Sequence, residues 1–321
     1  MNTPVLLITF NRPEHTRKVL EAIMVAKPQQ LYVFQDGVRQ DNSSDLEKCA
    51  DVRRVVETMT TDSGINLHTL YSDKNLGCGP GPMNALNWFF SENDTGIILE
   101  DDAVPHPDFF PYCEELLEKY KDNSNVRAIG SMNVDTQRWG DGSYYFSMMN
   151  RNLCAWATWK RSWEAFDIKM ENVSRLKLRK ALRHYGCGVL ECEYWCDRLD
   201  EVHKDLCGGK SWDMQFFMSI WMSGGKGIIP NVNLSSNIGT VGEATHVMWD
   251  ENIIDNVPSH PIMPLTHPSD SNVQHAADKQ FHFRYFEPAK NTWGVGKTIY
   301  YLVNKRIKRL VGHEGPWIKR K

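Results

Sequence analysis

The chain has no run of about 18 apolar residues, so no segment is read as a membrane-spanning helix. Neither a basic region nor an apolar segment precedes the first strand-like stretch, Pro4-Val5-Leu6-Leu7-Ile8. A signal peptide is therefore not expected, and the cytoplasm is the expected location. An excess of positive charge is missing too: 37 Lys and Arg stand against 40 Asp and Glu, for a net charge of -3, which argues against a general nucleic-acid binder. No G-x-G-x-x-G follows the first strand, which disfavours a dinucleotide fold. Gly296-Lys297-Thr298 resembles the end of a P-loop, but Asn291 stands where its leading glycine belongs. Any diphosphate bound here needs a metal and side chains instead of a glycine cradle. The 8 cysteines form no C-x-x-C pair. Cys187, Cys192, Cys196 and Cys207 cluster loosely and are expected to be reduced free thiols, with a zinc site as the alternative.

What the chain does have is an apolar run ending in three adjacent acids, Ile97-Ile98-Leu99-Glu100-Asp101-Asp102. A short continuous apolar segment suits a central strand covered on both faces. Three carboxylates at the carboxyl end of such a strand repel one another unless a cation offsets them. Two readings fit: oxygen ligands for a divalent ion in the crevice of an open α/β sheet, or an acidic surface turn.

Strand and helix patterns alternate through the first hundred residues. Val5 to Phe10, Leu31 to Phe34 and Leu67 to Tyr71 read as strands, and Pro13 to Ala26 and Ser44 to Met59 as helices, with Ser44 as N-cap. A further helix carrying Met83, Leu86, Trp88 and Phe89 precedes the acidic strand. The alternation predicts an α/β fold with a mostly parallel sheet flanked by helices. Such a sheet brings its strand ends to one rim, where Asn11-Arg12, Gln35-Asp36-Gly37 and Lys74-Asn75 fall. Arg12 can hold phosphate or a base, Asp36 can accept from a base or ribose, and Lys74 can neutralise charge, so a nucleotide site is expected there.

After the acids, Asp108 to Lys119 reads as a helix, and Val126 to Ser131 and Tyr144 to Met149 as strands. Residues 151 to 225 are richer in Trp, Cys and helical pattern and are expected to close over the sheet and meet a second substrate. Most of the 11 tryptophans should serve core packing. Within this part, Trp212-Asp213 opens an apolar helix; Asp213 is either a first-turn acid favoured by the helix dipole or a general base. His246 is either a metal or phosphate ligand from the far side or a loop histidine. Asp250 to Pro288 is rich in Pro, His and Asp and reads as an irregular wrap or lid. From Lys297 to Lys321 there are eight Lys or Arg and one Glu, interleaved with apolar residues. That pattern makes a basic amphipathic helix, suited to an anionic membrane surface or packed on its own domain.

With these residues assembled, the chain resembles the GT-A nucleotide-sugar glycosyltransferases, a Rossmann-like nucleotide-diphospho-sugar transferase fold. Within them it is similar to the N-acetylglucosaminyltransferases that initiate complex N-glycans. The likeness lies in Thr9 to Arg12, Phe34 to Gly37, Ile97 to Phe110 and Trp212-Asp213, and the acid strand followed by Pro107-Asp108-Phe109-Phe110 is its specific part. Asn233-Leu234-Ser235-Ser236-Asn237-Ile238-Gly239, with Ala244-Thr245-His246, also looks like bacterial glycosyltransferase-like proteins of surface-polysaccharide loci.

The resemblance implies Mn²⁺ or Mg²⁺ on Asp102, bridging the diphosphate of a donor such as a UDP-sugar, with His246 as the second candidate ligand from its place in the chain. Glu100 and Asp101 are then placed at the ribose and donor sugar. Phe10, Asn11, Arg12, Asp36, Lys74, Asn75 and Trp212 hold the nucleotide or donor, and Asp213 is the base. A glycan or a lipid-linked sugar is the implied acceptor. Residues 1–131 are then the nucleotide-sugar half, 132–250 the acceptor half, and 251–321 a lid and basic tail. A sugar-phosphate nucleotidyltransferase and a non-catalytic carbohydrate-binding protein are the rival readings. The first wants a glycine-rich basic loop after the first strand, where Phe10-Asn11-Arg12-Pro13 has no glycine.

Overall fold

The computed structural model describes residues 1–310 apart from 136, 150–153, 205–211, 240–255, 288–289 and 292. Its centre is set by strands that carry continuous apolar runs, Val5 to Ile8 and Ile97 to Leu99. In β1 (Val5–Thr9), Val5 and Leu7 pack into one core layer while Leu6 and Ile8 pack into the other. In β4 (Thr95–Glu100), Ile97 and Leu99 join the first layer and Ile98 the second. Successive strand side chains point to opposite faces, so both strands need helices on both sides. With β2 (Gln30–Gln35) and β3 (Asn66–Tyr71) they form a parallel set in the order β3-β2-β1-β4, with Rossmann-like connections.

The crossovers are α1 (Pro13–Ala26), α2 (Ser44–Thr60) and α3 (Pro80–Glu92). Helix α1 buries Thr16, Val19, Leu20 and Ile23, a stripe at three- and four-residue spacing. It starts on Pro13, whose missing amide costs nothing in a first turn, and ends where Lys27 turns left-handed at φ 49°. Ser44, expected as an N-cap, is instead the first residue of α2. Its amide donates to Asn42 Oδ1 at 3.2 Å, so the asparagine satisfies that end.

Beyond the acids lie β5 (Ala103–Pro105), α4 (Phe109–Lys119), β6 (Val126–Gly130) and β7 (Tyr144–Ser147). Next come β8 (Ala155–Trp159), α5 (Lys160–Glu164), α6 (Arg175–His184), α7 (Val189–His203), α8 (Asp213–Met222) and β9 (Lys226–Pro230). The complete sheet has eight strands in the order β3-β2-β1-β4-β8-β6-β9-β7. Strand β8 runs antiparallel to both β4 and β6, β9 is parallel to β6, and β7 closes the edge antiparallel. The expected α/β class, a mostly parallel sheet flanked by helices, is what the chain adopts.

One expectation is corrected here. Residues 151 to 225 read as helical cover, yet Ala155-Trp156-Ala157-Thr158-Trp159 is a strand inside the sheet, buried throughout. The stretch 250 to 288 also holds more structure than an irregular wrap. Helix α9 (His275–Phe281) runs into a π-helical turn over His282–Phe286, and Asp278 accepts the Met148 amide at 2.9 Å.

The tryptophans mostly pack as expected: Trp156, Trp159, Trp163, Trp195, Trp212 and Trp221 are all buried. Among the described residues, no helix is long and apolar enough to cross a membrane.

Candidate metal and nucleotide site

The parallel strands deliver their ends to one rim, and β4 delivers Glu100-Asp101-Asp102. The ladder between β4 and β8 pairs Leu99 with Ala155, and one step further the Glu100 amide donates to the Cys154 carbonyl at 2.7 Å. Cys154 therefore lies directly across from the first acid. Ligand atoms of Glu100, Asp102 and Cys154 all come within 4.8 Å of one another. Asp102 Oδ1 is buried without a hydrogen-bond partner. A buried carboxylate oxygen left bare is costly, and a cation held among these three groups would answer it. The donor set thus fits a divalent metal. The cysteine was not among the residues singled out in the sequence.

Two loops close around the acids. From β1, the Phe10 amide donates to Asp101 Oδ2 at 3.2 Å, and Arg12 Nη1 reaches Asp102 Oδ2 at 3.2 Å and Asp101 Oδ1 at 4.0 Å. From the far side, β10 (Ser235–Asn237) pairs antiparallel with β5, and the Ile238 amide donates to the Asp102 carbonyl at 2.9 Å. Gly239 then passes so close that a Cβ would stand 2.8 Å from Asp102 Cγ, so a larger residue would have to displace the carboxylate or the loop.

Crowding and burial act together on the acids. Burial first, then the charge of Asp102, pushes the Glu100 and Asp101 carboxyls well above the usual range. Asp102 is also raised by burial, although Arg12 and His15 pull it back. The Cys154 thiol is raised by burial and then by Glu100 and Asp102. Asp213, the first residue of α8, adds to the upward push on both Glu100 and Cys154. Arg12, the acids, Cys154 and Asp213 therefore belong to one electrostatic neighbourhood.

The remaining candidates have other engagements. Asp36, at the end of β2, accepts from the amides of Gly37 at 2.9 Å, Leu76 at 2.8 Å and Gly77 at 2.9 Å, and from Asn75 Nδ2 at 3.1 Å. It clasps the loop after β3, which crosses so near Gly37 that a Cβ there would lie 2.6 Å from the Lys74 carbonyl oxygen. Burial raises the Asp36 carboxyl, and the three amides pull it down. Asn11 donates to Asp45 Oδ1 at 2.7 Å. Asp45 is held down to about 2, first by its hydrogen bond from the Arg39 guanidinium.

Trp212 is only 5% exposed, with ring centroids 5.9 Å from Trp163 and 6.1 Å from Trp156 and Phe216. It forms the aromatic floor from which Asp213 projects. Lys74 is exposed at the mouth of a groove of about 1240 Å³, lined also by Leu76, Pro80, Asn84, Lys169 and Gln215. The acids are not part of that lining, but Gln215 stands two residues along α8 from Asp213. His246 lies outside the described residues, as does Cys207.

No protein-family model matches the chain, and no curated protein matches it. Among solved structures it is similar to a UDP-glucose pyrophosphorylase complexed with UDP-glucose, at 10% identity and a TM-score of 0.33, over 51% of this chain and 79% of that one. HddC from Yersinia pseudotuberculosis is similar at 10% identity and a TM-score of 0.31, over 50% and 79% of the two chains. So is a putative glucose-1-phosphate thymidylyltransferase from Bacillus anthracis, at 13% identity and 0.30, over 52% and 74%.

Proposed function

We propose that this chain is a metal-dependent transferase acting on a sugar nucleotide, and specifically an inverting glycosyltransferase that moves a sugar to an acceptor hydroxyl. One observation carries the reading: Asp102, at the end of a central parallel strand, keeps a buried oxygen without a partner where Glu100, Cys154 and Arg12 converge.

Asp102, Glu100 and Cys154 are the residues that would hold a divalent ion. When bound, Mn²⁺ or Mg²⁺ supplies Lewis-acid stabilisation of the diphosphate leaving group. Arg12 adds fixed positive charge beside the same carboxylates, in reach of a phosphate at the rim. The loop clasped by Asp36 presents Lys74 and Asn75 along the nucleotide's path. Asp213 takes the proton from the acceptor oxygen as that oxygen attacks the anomeric carbon from the face opposite the leaving group, which inverts the configuration. Trp212 and its aromatic neighbours fix the start of α8, so the base approaches from a rigid element.

The sugar-phosphate nucleotidyltransferase reading shares the sheet and the metal. Against it stands the β1–α1 connection: strand β1 ends at Thr9 and α1 begins at Pro13, leaving Phe10, Asn11 and Arg12 between them. Three residues without glycine form no loop able to wrap a triphosphate with backbone amides. One of those residues, Asn11, is committed inside the protein, donating to Asp45 Oδ1.

A thermal-shift screen of UDP, GDP and CMP with and without Mn²⁺, followed by slow hydrolysis of the matching nucleotide sugars, tests the proposal. Metal-dependent stabilisation by a nucleoside diphosphate together with release of free sugar supports it. Pyrophosphate release from a nucleoside triphosphate and a sugar 1-phosphate would establish the rival chemistry. No metal-dependent nucleotide affinity at all would leave a carbohydrate-binding protein.

A further inference from the structure

Helix α10 (Val295–Leu310) is attached to the protein by its polar side. Lys305 is 4% exposed, lies 3.3 Å from Glu193 and pairs with Asp197, both on α7. Tyr301 packs edge-on against Trp293 at 5.2 Å, and its hydroxyl accepts from Lys290 Nζ at 3.2 Å. The apolar side faces away. Ile299 is 55% exposed, Tyr300 70%, Val303 52% and Ile307 51%. Ile299, Val303 and Ile307 recur every four residues, so they form one stripe along the helix. A helix that buries a lysine against the protein and turns an apolar stripe to water departs from the ordinary surface helix.

We propose that this face of α10 docks on an anionic lipid surface. The charges around the stripe decide the occupant. At about 100° per residue, Arg306 borders the stripe on one side, and Lys297 and Lys308 lie past Tyr300 and Asn304 on the other; all three are exposed. The chain as a whole is acidic, with a net charge of -3, whereas its sequence from Lys297 onward holds eight Lys or Arg and a single Glu. Apolar side chains flanked by cations match the interface of a bilayer carrying negative headgroups. A second copy of the helix suits the face less well. Its cationic borders repel their equivalents, and four side chains spread along about 12 Å fall far short of the roughly 800 Å² per partner of a stable interface. The inference is independent of the transferase reading, although a protein so placed meets lipid-linked acceptors at the surface where they reside.

The test is co-sedimentation of the full chain with vesicles of phosphatidylcholine, with and without phosphatidylglycerol, at low and high salt. Two variants accompany it: Ile299→Asp with Ile307→Asp, and Lys297→Glu with Arg306→Glu and Lys308→Glu. Ile299, Ile307 and Arg306 are solvent-exposed, whereas Lys297 stands over the Trp293 ring at 4.8 Å, so each variant's melting curve is compared with the parent's before binding is read, and either variant stands alone if the other fails to fold. Binding to the anionic vesicles only, weakened by salt and reduced at least about tenfold in each folded variant, is the expected result. Equal binding to neutral vesicles, no binding, or binding that ignores both variants overturns the proposal. So does a concentration-dependent dimer, seen by sedimentation, that Ile299→Asp with Ile307→Asp dissolves while vesicles bind nothing.

Discussion

The amide of Glu100 donates to the carbonyl of Cys154 at 2.7 Å, one step past the last ladder pair between β4 and β8. This bond puts a thiol among carboxylates at the end of the central parallel strand and gives the candidate metal site a soft ligand. Sulfur favours borderline ions over hard ones. The parent protein is therefore expected to bind Zn²⁺ more tightly than Mn²⁺ or Mg²⁺, and Cys154→Ser to narrow that preference while keeping binding. Competition titrations of the three ions on both proteins check it; an unchanged preference would remove the thiol from the site.

Glu100 carries a pH signature. Its carboxyl is raised from 4.5 to about 8, by burial first and Asp102 next, so in the ion-free protein the folded state holds a proton that the unfolded chain has released. Stability is then undiminished below about pH 4.5 and falls as pH rises toward 8. Glu100→Gln removes the charge and this term with it. Its melting temperature should overtake that of the parent as pH climbs through this window in the presence of a chelator, and adding Mn²⁺ should stabilise the parent more than the variant. Parallel melting curves across the window would contradict the assignment.

Asp213→Asn keeps the shape of α8 and removes the base. Nucleotide and metal affinity should hold, while turnover falls by roughly 10²-fold or more. Parallel calorimetry and sugar-transfer assays separate the two; a loss of binding equal to the loss of turnover would give Asp213 a binding role.

Gly239→Ala places a Cβ against the Asp102 carboxylate. Folding should survive, because the residue follows the last paired position of β10, but the carboxylate must move. Divalent-ion affinity is expected to drop by about tenfold or more, a cost on the order of 1.4 kcal/mol. Unchanged affinity would mean that the loop and not the carboxylate gives way.

The first hundred residues were legible because β1, β2 and β4 carry continuous apolar runs and α1 carries a clear stripe. The carboxyl-end rule for open α/β sheets places Arg12, Asp36 and the acids on one rim from sequence order alone. Strand β8 was not legible. Ala155-Trp156-Ala157-Thr158-Trp159 is short, lies in a Trp-rich stretch and finds its partners β4 and β6 only through the sheet, so nothing local marks it as central. Missing that strand meant missing Cys154. The side-chain engagement of Asp36 was hidden for a similar reason, since it depends on where the loop after β3 crosses Gly37. For α10 the sequence pattern gave a basic amphipathic helix but not which side faces the protein, and the buried Lys305 departs from the ordinary orientation.

The account turns on Asp102, and calorimetry of UDP binding to the parent chain and to Asp102→Ala, each with and without Mn²⁺, tests it most directly. The parent should bind the nucleotide tightly only with the ion, and the variant should lose that dependence along with most of the affinity. Binding to Asp102→Ala with the parent's affinity and the same response to Mn²⁺ would contradict the account.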